Sequence, residues 1–125
     1  MDINRIQREF TDAQRTFAIV ELRPTYDGKV YARTVLQTST QATYVLSVRF
    51  PENYPNEMPR VSVDTPTITS APHRYNNGNI CYLHPSMWNP GAHHLTFVIG
   101  RAAKWLNKYE IWKRSGRWPG ASLKH

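Results

Sequence analysis

Apolar residues near the start of the chain recur at helical spacing. Ile3, Ile6, Phe10 and Phe17 follow one another at intervals of three, four and seven residues, so they would share one stripe of a helix. The pattern predicts an amphipathic helix over residues 2–16.

After this helix the period changes to two, which is typical of strands with one buried face. In the third such segment Tyr44, Leu46, Val48 and Phe50 would share a face. The predicted strands are residues 18–23, 30–37, 43–50 and 60–65. A two-residue turn at Asp27-Gly28 and the polar segment 38–41 connect the first three, so we predict a four-stranded antiparallel meander.

Residues 51–59 contain too many prolines to pair or coil regularly, and residues 65–90 show no regular pattern. A loop of that length in a compact domain is usually functional. A second helix is predicted over residues 95–112, ended by the segment RSGRWPG. Its apolar positions are Val98, Ala102, Trp105, Tyr109 and Trp112. The order predicts one α+β domain spanning residues 1–125.

The chain has 125 residues, one cysteine and a formal net charge of +7. No apolar run reaches the roughly 18 residues of a membrane span, and the N-terminus does not resemble a secretory signal. A single cysteine forms no internal disulfide, so we expect a reducing cytoplasm and no membrane. The positive charge favours acidic partners, or it is the solvated side of the second helix. From position 101 it is carried by Arg101, Lys104, Lys108, Lys113, Arg114, Arg117 and Lys124.

The cysteine, Cys81, lies in the polar, turn-rich segment YNNGNICYLHPSMWNP. A lone cysteine is more often a core residue, but the run before it, residues 76–79, is polar or glycine, which favours an exposed nucleophile. Asn76 and Asn77, with Asn79, could donate to an oxyanion or form a tight turn. His73 and His84 could orient a group, accept a proton or lower the pKa of the thiol. We expect His93 and His94 to cap the second helix or face solvent.

A zinc site would draw on Cys81 and these histidines. The spacing matches no recurring zinc pattern, and structural sites generally use more than one cysteine. We therefore predict neither a metal nor another cofactor.

Several segments resemble ubiquitin-conjugating enzymes, the second enzymes (E2) of ubiquitin cascades. YPNEMP followed by RVSV resembles their proline-rich loop and fourth strand. HRYNNGNIC resembles the approach to the catalytic cysteine, and WNPGAHHLTFVIGRAAKWL resembles the segment and helix that follow it. The resemblance covers residues 54–106. It implies the E2-like fold, although the family's last two helices have no counterpart here.

The resemblance implies that Cys81 accepts the C-terminus of a ubiquitin-like protein from an E1-like activating enzyme as a thioester, and passes it to a lysine amine. The family's histidine-proline-asparagine triplet reads His73-Arg74-Tyr75 here, and the following segment is about two residues shorter. Tyr75 or His73 would then stand in place of the oxyanion asparagine, with support from Asn76 and Asn77. His84 would be the base that deprotonates the amine.

The short build and the tryptophan-proline-glycine end resemble bacterial members. Some of these belong to antiphage operons of the cyclic-oligonucleotide type (CBASS), in which the conjugated protein is a nucleotidyltransferase. Three other functions compete with this interpretation: an E2-like binding module without catalysis, then a basic nucleic-acid-binding domain, and last a cysteine hydrolase built on Cys81 with His73 or His84.

Overall fold

The computed structural model describes residues 2–120 and contains two α-helices and one four-stranded sheet. The helices are α1, Ile3–Thr16, and α2, Leu95–Ser115. The strands are β1, Ile19–Pro24; β2, Val30–Gln37; β3, Thr43–Arg49; and β4, Arg60–Thr65. All neighbouring strands are antiparallel, in the order β1-β2-β3-β4. The predicted α+β meander is therefore confirmed.

The inward face of α1 differs from the predicted stripe. Ile6 is fully buried, but Ile3 is 43% exposed, and Glu9 and Ala13 are buried instead. Glu9 tolerates burial because its carboxylate accepts hydrogen bonds from Tyr54 Oη, Arg5 Nε and the backbone N–H of Leu95. Apolar periodicity does not reveal a buried carboxylate whose donors lie far away in the chain.

The second helix packs against α1 and contacts β2, and its buried residues include Val98, Ala102, Trp105 and Tyr109 as predicted. It continues past the predicted end to Ser115 because Lys113 and Arg114 have high helix propensity and are exposed to solvent. Gly116 then ends it in the left-handed conformation, at φ 75°. Neither helix within residues 2–120 is both long and apolar enough to cross a membrane.

Two connections differ from their predictions. The β1–β2 turn is longer than two residues: Thr25 N donates to Lys29 O at 2.8 Å, and Gly28 between them has φ 83°. The segment predicted to lack regular structure contains two isolated β-bridges, Ser62 with Asn79 and Arg74 with Ile80, and a short 3-10 helix over Pro85–Met87. The first bridge attaches the loop to β4, and the second joins the two sides of the hairpin that leads to the cysteine.

Candidate active site

A tight hairpin carries Cys81. Tyr75 N donates to Asn79 O at 2.8 Å, and Gly78 N donates to Tyr75 O at 3.0 Å. Gly78 has φ 93°, a conformation that favours glycine at this turn. Where the hairpin returns, Cys81 N donates to His73 O at 2.7 Å. The backbone that leads to the cysteine is thus held by the loop itself.

The hairpin is also attached to the fourth strand and the proline-rich segment before it. Ile80 N donates to Val61 O at 2.9 Å, which extends the sheet pairing, and Ile80 is buried in the core. Tyr82 Oη donates to Pro59 O at 2.6 Å. The residues before and after Cys81 are both anchored, so the sulfur has a defined position although it lies in a loop.

The thiol itself is buried, contrary to the exposed nucleophile that the sequence predicted. Cys81 is 5% exposed, its Sγ accepts a hydrogen bond from Tyr75 Oη at 3.5 Å, and it donates to Leu83 O at 3.6 Å. Burial raises the pKa of the Cys81 thiol, and the Tyr75 hydrogen bond and the charge of Arg101 oppose that rise. The thiol is therefore mainly protonated at neutral pH.

Tyr75 is the side chain that the structure brings to the sulfur. Its hydroxyl hydrogen bond with Cys81, and then its burial, raise the pKa of Tyr75 to about 12, so it remains a protonated donor. The sequence left open whether Tyr75 or His73 replaces the family's oxyanion asparagine. The contact with Sγ favours Tyr75. The signal in the sequence was its place as the third residue of the triplet.

The asparagines have a different position. Asn76 and Asn77 are exposed at the tip of the hairpin, and Asn77 Oδ1 accepts a hydrogen bond from Asn79 N at 3.0 Å. The tight turn was the alternative that the sequence left open for these residues.

His73 supports the cysteine through its backbone. Its φ of 55° is unusual for a residue with a side chain, and its carbonyl accepts both Cys81 N and, at 3.0 Å, Trp105 Nε1. Burial, followed by the charge of Lys108, lowers the pKa of His73, so the imidazole is neutral at pH 7. His73 therefore provides no positive charge to lower the pKa of the thiol.

His84 lies just after the site, at the start of the 3-10 helix. Its Nδ1 accepts from Ser86 N at 3.1 Å and lies 2.7 Å from Ser86 Oγ. These contacts orient the imidazole toward Ser86. The role of His84 as a base stays a prediction.

Cys81 borders a cavity of about 190 Å³ between the hairpin and α2. One wall is aromatic: the Trp118 ring lies 5.2 Å from that of His73 and 5.4 Å from that of Trp105. Trp118 therefore covers the cysteine site. The lining residues are His73, Cys81, Tyr82, Arg101, Lys104, Trp105, Lys108 and Trp118.

His93 and His94 have structural contacts. His93 stacks on Phe97 with ring centroids 4.0 Å apart, and its Nδ1 accepts from Asn89 N. His94 precedes α2 without a side-chain capping bond, and it is half exposed beside Arg5. Among residues 2–120, no three His, Cys, Asp or Glu side chains form a group that could hold a metal.

Comparison with known proteins gives the family. The family model described as type II CBASS E2 protein matches residues 8–125. The chain therefore belongs to the type II CBASS E2 family.

Two curated relatives are plant enzymes. Ubiquitin-conjugating enzyme 15 of Arabidopsis thaliana is 50% identical over 50 residues, which cover 38% of this chain and 30% of that protein. Probable ubiquitin-conjugating enzyme E2 17 of the same plant is 48% identical over 50 residues, with the same coverage. The matched region thus spans only 30% of the length of these relatives.

Solved structures share the fold. The Vps23 UEV in its complex with ubiquitin aligns with a TM-score of 0.51 and 14% identity, over 87% of this chain and 97% of that one. The yeast Vps23 UEV domain, in complex with a Vps27 PSDP peptide, aligns with a TM-score of 0.60 and 14% identity, over 98% of this chain and 86% of that one. At this identity the likeness shows the fold alone, and it agrees with the predicted E2-like architecture.

Proposed function

We propose that the protein is an E2-like conjugating enzyme that carries the C-terminus of a partner protein as a thioester on Cys81 and transfers it to an amine. The observation that carries the proposal is the position of the sulfur. Cys81 borders a cavity at the end of an anchored hairpin, and a protonated hydroxyl, Tyr75 Oη, contacts its sulfur.

The first step is a thioester exchange. Cys81 loses its proton to solvent, and its thiolate attacks the thioester carbonyl presented by an E1-like activating enzyme. The new S–C bond forms as the donor's S–C bond breaks, and the departing thiolate takes up a proton. A thiolate attacks well even when only a small fraction is ionised. Tyr75 Oη would donate to the developing oxyanion in the place of an amide.

The second step is aminolysis. A lysine amine attacks the carbonyl, an N–C bond forms, the bond to Cys81 breaks, and the proton lost by the nitrogen restores the thiol. An amine with a pKa near 10.4 must be deprotonated first. His84 is our candidate for this base, and neutral His73 is the alternative within the cavity. Neither step needs a cofactor.

The proposed partners follow from the family. They are an E1-like activating enzyme, a carried ubiquitin-like protein or nucleotidyltransferase, and a target with a lysine. Membership of the type II CBASS E2 family supports a role in bacterial antiphage defence. The single cysteine supports a reducing compartment, the cytoplasm.

The test uses Cys81→Ser, because an oxyester on serine is more stable than a thioester, with Cys81→Ala as the control that accepts no acyl group. Each form is purified without reductant from the native host and its intact mass is measured. We expect a protein-sized adduct on the wild type that dithiothreitol removes, a resistant adduct on the serine form and none on the alanine form. No adduct on either the wild type or the serine form, with the activating enzyme present, would refute the proposal.

A second candidate function is a binding module that has the fold without the chemistry. The burial of Cys81 and its raised pKa favour it, and the two similar Vps23 UEV structures are complexes with ubiquitin and with a peptide. A module of this kind would bind its partner equally well as wild type and as Cys81→Ala. It would show no adduct labile to dithiothreitol.

A further inference from the structure

The cavity beside Cys81 has a strongly cationic wall. Arg101, Lys104 and Lys108 are spaced by three and four residues on α2, so they lie on one face of the helix, and all three line the cavity. The other lining side chains are the thiol, a neutral imidazole, a tyrosine and two tryptophans. Among residues 2–120, no carboxylate lines the cavity.

These cations have no acidic partner in the described part of the chain. Within residues 2–120 no ion pair involves Arg101, Lys104 or Lys108. Arg101 donates from Nε to Tyr82 O at 2.9 Å, which fixes its guanidinium next to the residue that follows Cys81. Arg101 and Lys108 are half-buried. Charges placed together in a concave site focus their field, so they favour an anionic ligand.

We infer that this cationic wall is a subsite for an acidic side chain close to the C-terminus of the carried protein. The inference rests on the proposed function, and it names the class of tail that the site accepts. The C-terminal carboxylate itself loses its charge once it becomes an acyl group on Cys81. A cationic subsite that still binds the loaded chain must therefore contact an Asp or Glu side chain near that end. Trp105 and Trp118 would flank the backbone of the tail.

The test measures direct loading of Cys81 from synthetic peptide thioesters. Two labelled peptides differ only by Glu or Gln within the last three residues before a C-terminal glycine. Each is the thioester of a neutral alkyl thiol, so the leaving group carries no charge. The thiolate of Cys81 displaces that thiol, which leaves with a proton, and intact mass follows the adduct. We expect the Glu peptide to load about tenfold faster at low salt and the ratio to fall in about 0.5 M salt.

Matched variants identify the residues responsible. We expect the double variant Lys104→Gln/Lys108→Gln to bring the ratio of the two rates close to one. Arg114→Gln removes a charge from the exposed part of the same helix, outside the cavity, and should keep the wild-type ratio. Equal rates for the two peptides on the wild type would overturn the inference, and so would an unchanged ratio in the double variant.

Binding without chemistry separates this inference from the proposed function. If neither peptide loads Cys81, thioester acceptance fails, and the subsite is then tested by fluorescence anisotropy with unreactive peptide amides. Tighter binding of the Glu amide, lost in the double variant, supports the subsite. Equal binding of both amides overturns it. A third peptide has Gln and a free C-terminal carboxylate. If it binds more tightly than the Glu amide, the inference is also overturned, because the cationic wall would then bind a terminal carboxylate.

Discussion

Tyr75→Phe tests the contact on which the proposed chemistry depends. The change removes only the hydroxyl whose hydrogen bond to Cys81 Sγ measures 3.5 Å. That bond favours the thiolate, and it opposes the rise in the pKa of Cys81 that burial causes. We expect the variant to have less thiolate at neutral pH, and to lose a donor at the developing oxyanion.

The magnitude follows from the geometry. Hydrogen bonds to charged groups contribute about 1.5–3 kcal/mol. Tyr75 is 39% exposed and its contact to sulfur is long, so we take a value just below that range, about 1.4 kcal/mol, which is a factor of ten in rate. The variant should therefore react about tenfold more slowly than the wild type near pH 7.

Two reactions of Cys81 separate the effects. Alkylation by iodoacetamide reports the thiolate, so its rate in Tyr75→Phe should approach the wild-type rate as the pH rises above the pKa of both thiols. Loading from a peptide thioester also forms an oxyanion, so its rate should stay reduced at high pH. Tyr26→Phe is the control, because Tyr26 is fully exposed in the β1–β2 turn. If Tyr75→Phe matches Tyr26→Phe in both reactions at every pH, Tyr75 has no role at the sulfur.

Three further outcomes are expected. The loading rate of wild-type Cys81 should rise about tenfold per pH unit from about pH 7 to 9, without a plateau. Burial raises the pKa of the thiol, so each pH unit increases the small thiolate fraction about tenfold. A plateau near pH 7 would contradict this. Glu9→Ala leaves two buried donors without an acceptor, so it should lower the free energy of unfolding in urea by about 3 kcal/mol. The exposed control Glu57→Ala should change that free energy by less than about 0.5 kcal/mol. Equal losses in the two variants would contradict the buried role of Glu9. Trp105→Phe removes the hydrogen-bond donor to His73 O, so it should lower the loading rate and also lower the free energy of unfolding by about 1 kcal/mol. Wild-type loading by the variant would show that Trp105 does not support the site.

Much of the fold could be predicted because helix and strand periodicity reflect local backbone geometry. The bounds of β2 and β4 agree with the prediction. Those of β1 lie one residue later at both ends, and β3 ends one residue earlier. The errors occur where contacts with residues distant in the chain decide which side chains are buried. Glu9 replaces an apolar residue on the inner face of α1 because its donors come from Arg5, Tyr54 and the N-terminus of α2.

The candidate site was predictable in part. The anchors around Cys81 are contiguous in the chain, so their resemblance to E2 enzymes could be recognised without coordinates. The asparagines were candidates because an amide is a good donor, yet the turn they form directs them to solvent. Tyr75 contacts the sulfur because the hairpin places it across from Cys81. The segment between the triplet and the cysteine is shorter than in the family, so the sequence alone could not show which residue of the triplet faces the sulfur.

The sequence by itself determined the helices, the meander and the loop that carries the cysteine, because these follow from short-range spacing. Only the tertiary structure decided that the thiol is buried, that Tyr75 is its donor and that Trp118 covers the site. It also placed Arg101, Lys104 and Lys108 beside Cys81, although they follow it in the chain by 20 residues or more. The reason is physical: burial, pKa and the charge around a nucleophile depend on the residues that folding brings next to it.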